Sequence, residues 1–245
     1  MKKKKRAVWL RKLADAFFFW LLLYPAIIVL GWLFLGSLEL FGAIRIRNKN
    51  LLPKWPRGLL VVSNHPSFWE PFALNYLFIR AASLNPIRFF PYGTPDFHNF
   101  NKWYWTTLKN RFIFFPRGDD RSCAAAHART ARLLKKGRIV IIFPEGGRTG
   151  TNKSNIWLQS PKGNRLRPLK SGAARLALQS KCDILPVWVR GADRVMPLGS
   201  KLPKFWRRTE IVVGESFRLE GEESRSYLKS ANEEIANRLL SLSDQ

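Results

Sequence analysis

Two apolar runs constrain this chain more than anything else in it. Residues 59–63, LLVVS, lie between Gly58 and Pro66, and residues 139–143, IVIIF, run into Pro-Glu-Gly-Gly-Arg. Short branched apolar runs with such boundaries read as buried strands. Two buried strands that both end in polar loops of unusual backbone are what an open α/β sheet sets along one crevice. The first strand ends in Asn64-His65, and Glu70 follows in the sequence HPSFWEP. Pro66 and Pro71 forbid continuous regular structure between them, and Pro71 suits the first turn of a helix over 72–80. Such a turn brings Glu70 back toward His65. A carboxylate on one imidazole nitrogen fixes the tautomer and raises the basicity of the other, which makes a general base for a hydroxyl. The spacing suits a satisfied structural pair equally well, and these residues alone leave both readings open.

The second loop narrows the choice. NHPSFWE and FPEGGR, in this order and about eighty residues apart, resemble the two main blocks of the glycerolipid acyltransferase family, N-H-x-x-x-x-D and F-P-E-G-x-R-S. Here Glu70 stands where that family usually has Asp, and Thr149 where it has Ser. IFFPRGDDRS resembles the intermediate block, with Arg117 as its arginine. KSGAARLA resembles a lysine-glycine helix start at Lys170, and ILPVWVRG the last block at Pro186. The resemblance covers roughly residues 51–214. It implies transfer of an acyl group from a thioester to a glycerol-type hydroxyl, with His65 and Glu70 catalytic and Arg117, Glu145, Gly146, Gly147, Arg148 and Lys170 binding substrate. Arg117 and Arg148 would hold an acceptor phosphate, since a guanidinium fork bonds two oxygens at once. Glu145 would contact a glycerol hydroxyl or hold Arg148, and the amides around Gly146 and Gly147 would face a tetrahedral oxyanion. The expected acceptor is a lysophospholipid, foremost 1-acylglycerol-3-phosphate, and the donor acyl-CoA or acyl carrier protein, with no cofactor and no metal. A non-phosphorylated or amino-lipid acceptor, and an inactive basic membrane-binding protein, are the alternatives. No G-x-S-x-G elbow, dinucleotide fingerprint or metal-ligand spacing is present, which argues against hydrolase and redox chemistry.

Charge and hydropathy speak to location. Lys and Arg number 42 against 17 Asp and Glu, a formal charge of +25, so the partner is anionic. With 10 Trp and 18 Phe, many beside basic residues, a bilayer interface fits better than a nucleic-acid groove, and no nucleic-acid partner is expected. Residues 16–38 carry no charge, and as a helix they would reach about 34 Å, enough to cross the hydrocarbon core. Basic residues flank the segment on both sides, and Pro25 and Gly31 offer break points for a hairpin that re-enters the same leaflet. The domain division expected is therefore 1–45, a basic start with a hydrophobic membrane anchor, and 46–245, an acyltransferase domain on the cytoplasmic side. Cys123 and Cys182 read as free thiols.

The fold expected is α/β, a mixed central sheet flanked by helices and preceded by a helical membrane anchor. Strands are expected at the IRI segment of 44–46, at 87–92, 112–115 and 184–189, and an exposed final strand at 209–213. Helices are expected over 97–111, through 123–136 behind an Asp119 or Asp120 cap, over 170–179, and over 222–240 with Leu228, Ile235, Leu239 and Leu240 inward. His127 reads as a structural residue of its helix, His98 as a surface residue, and 149–168 as a mobile loop or headgroup contact.

Overall fold

A computed structural model of the protein describes residues 17, 21, 23–95, 108–116, 119–151 and 155–245. The chain enters through helix α1 (Tyr24–Leu30), a π-helical stretch Gly31–Leu35 and helix α2 (Gly36–Leu40). Strand β1 (Ile44–Arg47) and β2 (Leu59–Ser63) follow, then α3 (Glu70–Tyr76), α4 (Ile79–Leu84), α5 (Pro86–Phe89) and a two-residue β3 (Tyr92–Gly93). Helix α6 (Asp120–Lys135), β4 (Ile139–Ile142), a small β5–β6 hairpin (Leu158–Gln159 and Arg165–Leu166) and α7 (Gly172–Ser180) come next. The chain closes with β7 (Asp183–Arg190), α8 (Ala192–Val195), β8 (Thr209–Val213) and α9 (Arg225–Ser243).

The six-stranded sheet has the order β1-β8-β7-β2-β4-β3, and only the β7–β8 pair is antiparallel. All five residues of β2 are buried, as a central parallel strand with both faces covered requires. Successive side chains alternate between two cores. Leu60, Val62, Val140, Ile184 and Val212 face Ala131, Leu134, Leu176, Ile235 and Leu239 of α6, α7 and α9. Leu59, Val61, Ile139, Ile141, Leu185 and Ile211 face Trp69, Ala73, Leu74 and Phe78 on the other side. The mixed sheet between helices is the architecture expected.

Several elements differ from the sequence reading. Residues 209–213 form a strand as expected, but an interior one, because β1 pairs parallel to it and takes the edge. The strand expected at 87–92 shrinks to β3, since Pro86 opens a helical turn that the Asn85 side chain caps by accepting from the Arg88 N–H at 3.1 Å. Phe112 makes a single bridge to Gly93 in place of a strand. Helix α6 is capped by Asp119, which accepts from the Ser122 N–H at 3.0 Å. Leu228, Ile235, Leu239 and Leu240 of α9 are all buried. The helix expected over 97–111, and His98 with it, lies mostly outside the described residues.

The N-terminal segment needs the largest correction. Among the described residues no helix is long and apolar enough to cross a membrane. Neither does the chain reverse at Gly31, whose backbone stays right-handed helical (φ −61°, ψ −44°). Its described part from Tyr24 onward lies along the domain. Tyr24 donates its hydroxyl to the Ala82 carbonyl, Trp32 Nε1 donates to Ser83 Oγ at 3.2 Å, and Tyr76 donates to Glu39 Oε2 at 2.7 Å. Gly31 is needed for the approach, since a Cβ there would stand 2.7 Å from Ile79 Cδ1. Val29, Leu30, Leu33 and Phe34 remain exposed on the outer side.

The start of β2 is as tightly fixed. Gly58 has φ +78°, and a Cβ on it would lie 2.4 Å from the Leu134 carbonyl oxygen at the end of α6. Backbone strain and this clash combine, so Gly58→Ala should cost about 1–3 kcal/mol of stability, read as a lower urea midpoint. An unchanged midpoint would show that the α6–β2 junction yields.

Candidate active site

The site begins with sheet register. β2 and β4 are parallel neighbours with Val62 opposite Ile142. Three residues further along each strand stand His65 and Glu145, so the two loops leave the sheet side by side. Asn64 seals the first exit: its side chain donates to the Val189 carbonyl and accepts from the Val189 N–H, both at 2.8 Å, tying β2 to β7.

Glu70 is wholly buried at the start of α3, and both its oxygens are engaged. Oε1 hydrogen-bonds His65 Nδ1. Oε2 accepts from the Ser67 N–H and the Ser67 hydroxyl, both at 3.0 Å. Ser67 Oγ in turn accepts from the Trp69 N–H at 2.9 Å. Ser67-x-x-Glu70 spells a capping-box pattern, in which a glutamate reaches back to the amide three residues earlier. That signal was present in the sequence and was not used there. One oxygen of Glu70 thus serves the histidine and the other the turn that starts α3.

With Nδ1 engaged by a carboxylate, the other ring nitrogen of His65 is the one left to accept a proton. The imidazole is stacked on Phe143 at 4.2 Å and is only 17% exposed, which holds its plane. The arrangement is that of an oriented base.

Of the two roles expected for Glu145, holding Arg148 is not the one seen. Among the described residues it pairs with no arginine. Oε1 accepts from the His65 N–H at 2.8 Å and from the Thr149 hydroxyl at 2.7 Å, and Oε2 from the Arg167 N–H at 3.1 Å. The Thr149 N–H also donates to the His65 carbonyl at 2.7 Å. Glu145 is 1% exposed, and burial pushes its carboxyl above the usual range although these donors and the nearby His65 pull the other way. It is a cross-tie between the two loops. Neither Ser67 nor Arg167 was singled out from sequence, and Thr149 was noted only as standing in place of Ser.

The glycine turn follows at once. Gly146 has φ +68°, and its N–H donates to the Phe143 carbonyl at 3.1 Å, so that amide closes the turn and is not left to face substrate. The Gly147 N–H has no partner among the described residues. Lys170 lies across Gly146, where a Cβ would stand 2.6 Å from its Cε. The Arg148 guanidinium sits over the Phe68 ring, 4.3 Å from its centroid. The structure thus brings His65, Glu70, Glu145, Gly146, Gly147, Arg148 and Lys170 to one end of the sheet, while Arg117 lies outside the described residues. His127 is in α6 as expected, edge-on to Phe115, with Nδ1 buried and unbonded, and burial lowers its pKa. Cys123 and Cys182 are free. Among the described residues no cluster of His, Cys, Asp and Glu has the form of a metal site.

Comparison with known proteins decides the family. The acyltransferase family model matches residues 43–190, which contain both loops. The chain belongs to the acyltransferase family. A chloroplastic 1-acyl-sn-glycerol-3-phosphate acyltransferase of Brassica napus is 28% identical over 170 residues, covering 67% of this chain and 42% of the relative. This chain therefore spans well under half of that relative's length. A 1-acyl-sn-glycerol-3-phosphate acyltransferase of Bacillus subtilis is 24% identical over 178 residues, 73% of this chain and 75% of the relative. The crystal structure of a 1-acyl-sn-glycerophosphate acyltransferase from Thermotoga maritima has the same fold, with a TM-score of 0.56 at 18% identity and 96% of each chain covered.

The cross-tie role of Glu145 has a measurable consequence in this acyltransferase-family chain. Glu145→Ala strands three part-buried donors, each costing toward or below the lower end of the about 1–3 kcal/mol of a fully buried unsatisfied group. The variant should lose about 1–3 kcal/mol in denaturant unfolding. A loss under about 0.5 kcal/mol, the level of an ordinary surface change, would show that the loops are held by other means.

Proposed function

We propose that the protein transfers a fatty acyl group from an acyl thioester, acyl-CoA or acyl carrier protein, to the free hydroxyl of a lysophospholipid, with 1-acylglycerol-3-phosphate as the foremost acceptor. The observation that carries this is the His65–Glu70 pair, a base fixed by a buried carboxylate, beside a glycine turn flanked by cations. The names of the relatives support the acceptor.

In the reaction the free His65 nitrogen takes the acceptor's hydroxyl proton as that oxygen attacks the thioester carbonyl. Glu70 stabilises the imidazolium that forms. The tetrahedral oxyanion is met by the Gly147 N–H, the donor that the turn leaves unspent. Collapse re-forms the carbonyl and breaks the C–S bond, and the leaving thiolate takes the proton back from His65. The ester oxygen comes from the acceptor, the thiol is released, and no acyl-enzyme is required. A general base of this kind contributes about 10²- to 10⁴-fold, and positioning and oxyanion stabilisation supply the rest.

Arg148 and Lys170 are proposed to hold the acceptor phosphate, joined by Arg117. The exposed Val29, Leu30, Leu33 and Phe34 are proposed to lie in the headgroup region of a membrane, with the chain's net charge of +25 attracted to anionic lipid and the catalytic domain on the cytoplasmic side. This binding is interfacial and calls for no spanning helix.

The deciding assay offers detergent-purified protein a labelled acyl donor and a panel of lysolipids, with products identified by mass. Glu70→Gln keeps the size and removes the charge, so kcat should fall about 10²-fold or more, and His65→Ala should fall at least as far. Combining the two should add little, because residues acting as a unit lose activity non-additively. Full activity in Glu70→Gln would reduce the carboxylate to a helix-start residue.

A further inference from the structure

Residues 149–168 are not the plain loop expected from sequence. Their centre is the β5–β6 hairpin, and the carboxyl end of α9 holds its turn. Asp244 Oδ1 accepts from the Ser160 hydroxyl at 2.6 Å and from Asn164 Nδ2 at 3.0 Å, and Asn164 Nδ2 also donates to the Ser243 carbonyl at 2.8 Å. Beyond the hairpin Leu166 is fully buried and the Arg167 N–H is bonded to Glu145. The hairpin is therefore held at its turn and just beyond its second strand, and what this fixes is the position of Arg167.

The Arg167 side chain lies across the glycine turn. Its Nη1 donates to the Arg148 carbonyl at 3.2 Å and stands 2.8 Å from where a Cβ on Gly147 would be. Lys170 lies across the adjacent Gly146 in the same way, and Arg148 leaves from the same turn. Among the described residues none of these three cations is within ion-pair distance of a carboxylate, whereas Arg175, Arg190, Arg218 and Arg238 elsewhere in the chain are. Glu145, the carboxylate between them, is already taken by its three donors. Among the described residues at this turn, three cations and one buried carboxylate leave an excess of about two positive charges. That excess matches a phosphate monoester, which carries close to −2 at neutral pH and three terminal oxygens. A phosphodiester has one charge and two such oxygens.

We infer that Arg167 is a further acceptor-binding cation, and that with Arg148 and Lys170 it makes the site select a lysolipid phosphate monoester over a phosphodiester. The inference rests on the reading that the acceptor is a lysophospholipid. The planar fork of Arg167 engages two phosphate oxygens, a contact that a diester, with one of those oxygens alkylated, offers in fewer orientations.

The test measures kcat and KM for lysophosphatidic acid and for lysophosphatidylglycerol in the same mixed micelles, with one acyl donor, for wild type, Arg167→Gln and Arg167→Lys. The wild type should prefer the monoester. In Arg167→Gln the monoester-to-diester ratio of kcat/KM should fall about tenfold to a hundredfold, the scale of one lost charge-assisted hydrogen bond. The loss should lie in the KM for the monoester, and Arg167→Lys, which restores the charge without the fork, should recover part of it. An unchanged ratio in Arg167→Gln would reduce Arg167 to a support for the Arg148 carbonyl and overturn the inference alone. If Arg167→Gln fails to fold, the ratio in Arg167→Lys decides on the same terms. A wild type that acylates neither lysolipid would overturn both the inference and the reading beneath it.

Discussion

The Glu70 carboxylate is the constraint on which the rest of the site depends. A carboxylate with no solvent contact is tolerated only when its oxygens are bonded, because an unpaired buried charge costs far more than a paired one. Here the bonds are supplied within six residues, by His65 Nδ1 and by the amide and hydroxyl of Ser67. Satisfying the carboxylate folds the loop between β2 and α3, and the same fold fixes the histidine. Burial and catalysis thus make one demand. A residue that oriented His65 from an exposed position would leave it free to turn and would bring water onto the same nitrogen.

The second dependence runs between strands. Because β2 and β4 are parallel and in register, their loops emerge together, and a single side chain can reach across. Glu145 does so, holding the His65 amide on one side and the Arg167 amide on the other. The glycine turn, the base and the hairpin that carries Arg167 therefore hang from one buried carboxylate each way. The parts that approach substrate are set by the rigid sheet, and the hairpin is steadied from the far side by Asp244.

Much of this was legible in the sequence, and where it was not the reason is physical. β2, β4 and β7 announce themselves as branched apolar runs because a parallel strand with both faces covered has nothing polar to show. The His65–Glu70 approach was legible because two prolines leave the chain few ways to turn. The centrality of β8 was hidden, since its burial depends on β1, a strand about 160 residues away in sequence with which nothing local connects it. Glu145 was assigned to substrate from the resemblance of FPEGGR to a family block, and its side chain turns to amides whose positions only the register reveals. Arg167 was indistinguishable from Lys153, Lys162 and Arg165 around it until the hairpin gave it a direction. The 16–38 segment reads as a span by its hydropathy alone. In its described part the small residue Gly31 and the polar tips of Tyr24 and Trp32, with Glu39 just beyond, dock the chain on α3 and α4.

The central claim is that Glu70 fixes the His65 tautomer so that the nitrogen facing the acceptor is the free base. The chain has only three histidines, so ¹⁵N-histidine NMR of the detergent-solubilised protein, with His65 assigned by its loss in His65→Ala, tests this directly. At a pH where the ring is neutral, His65 should show a protonated Nδ1 and an unprotonated Nε2, and Glu70→Gln should disturb that pattern. An Nε2-protonated ring in the wild type would contradict the account, because the nitrogen meant to receive the proton would already carry one.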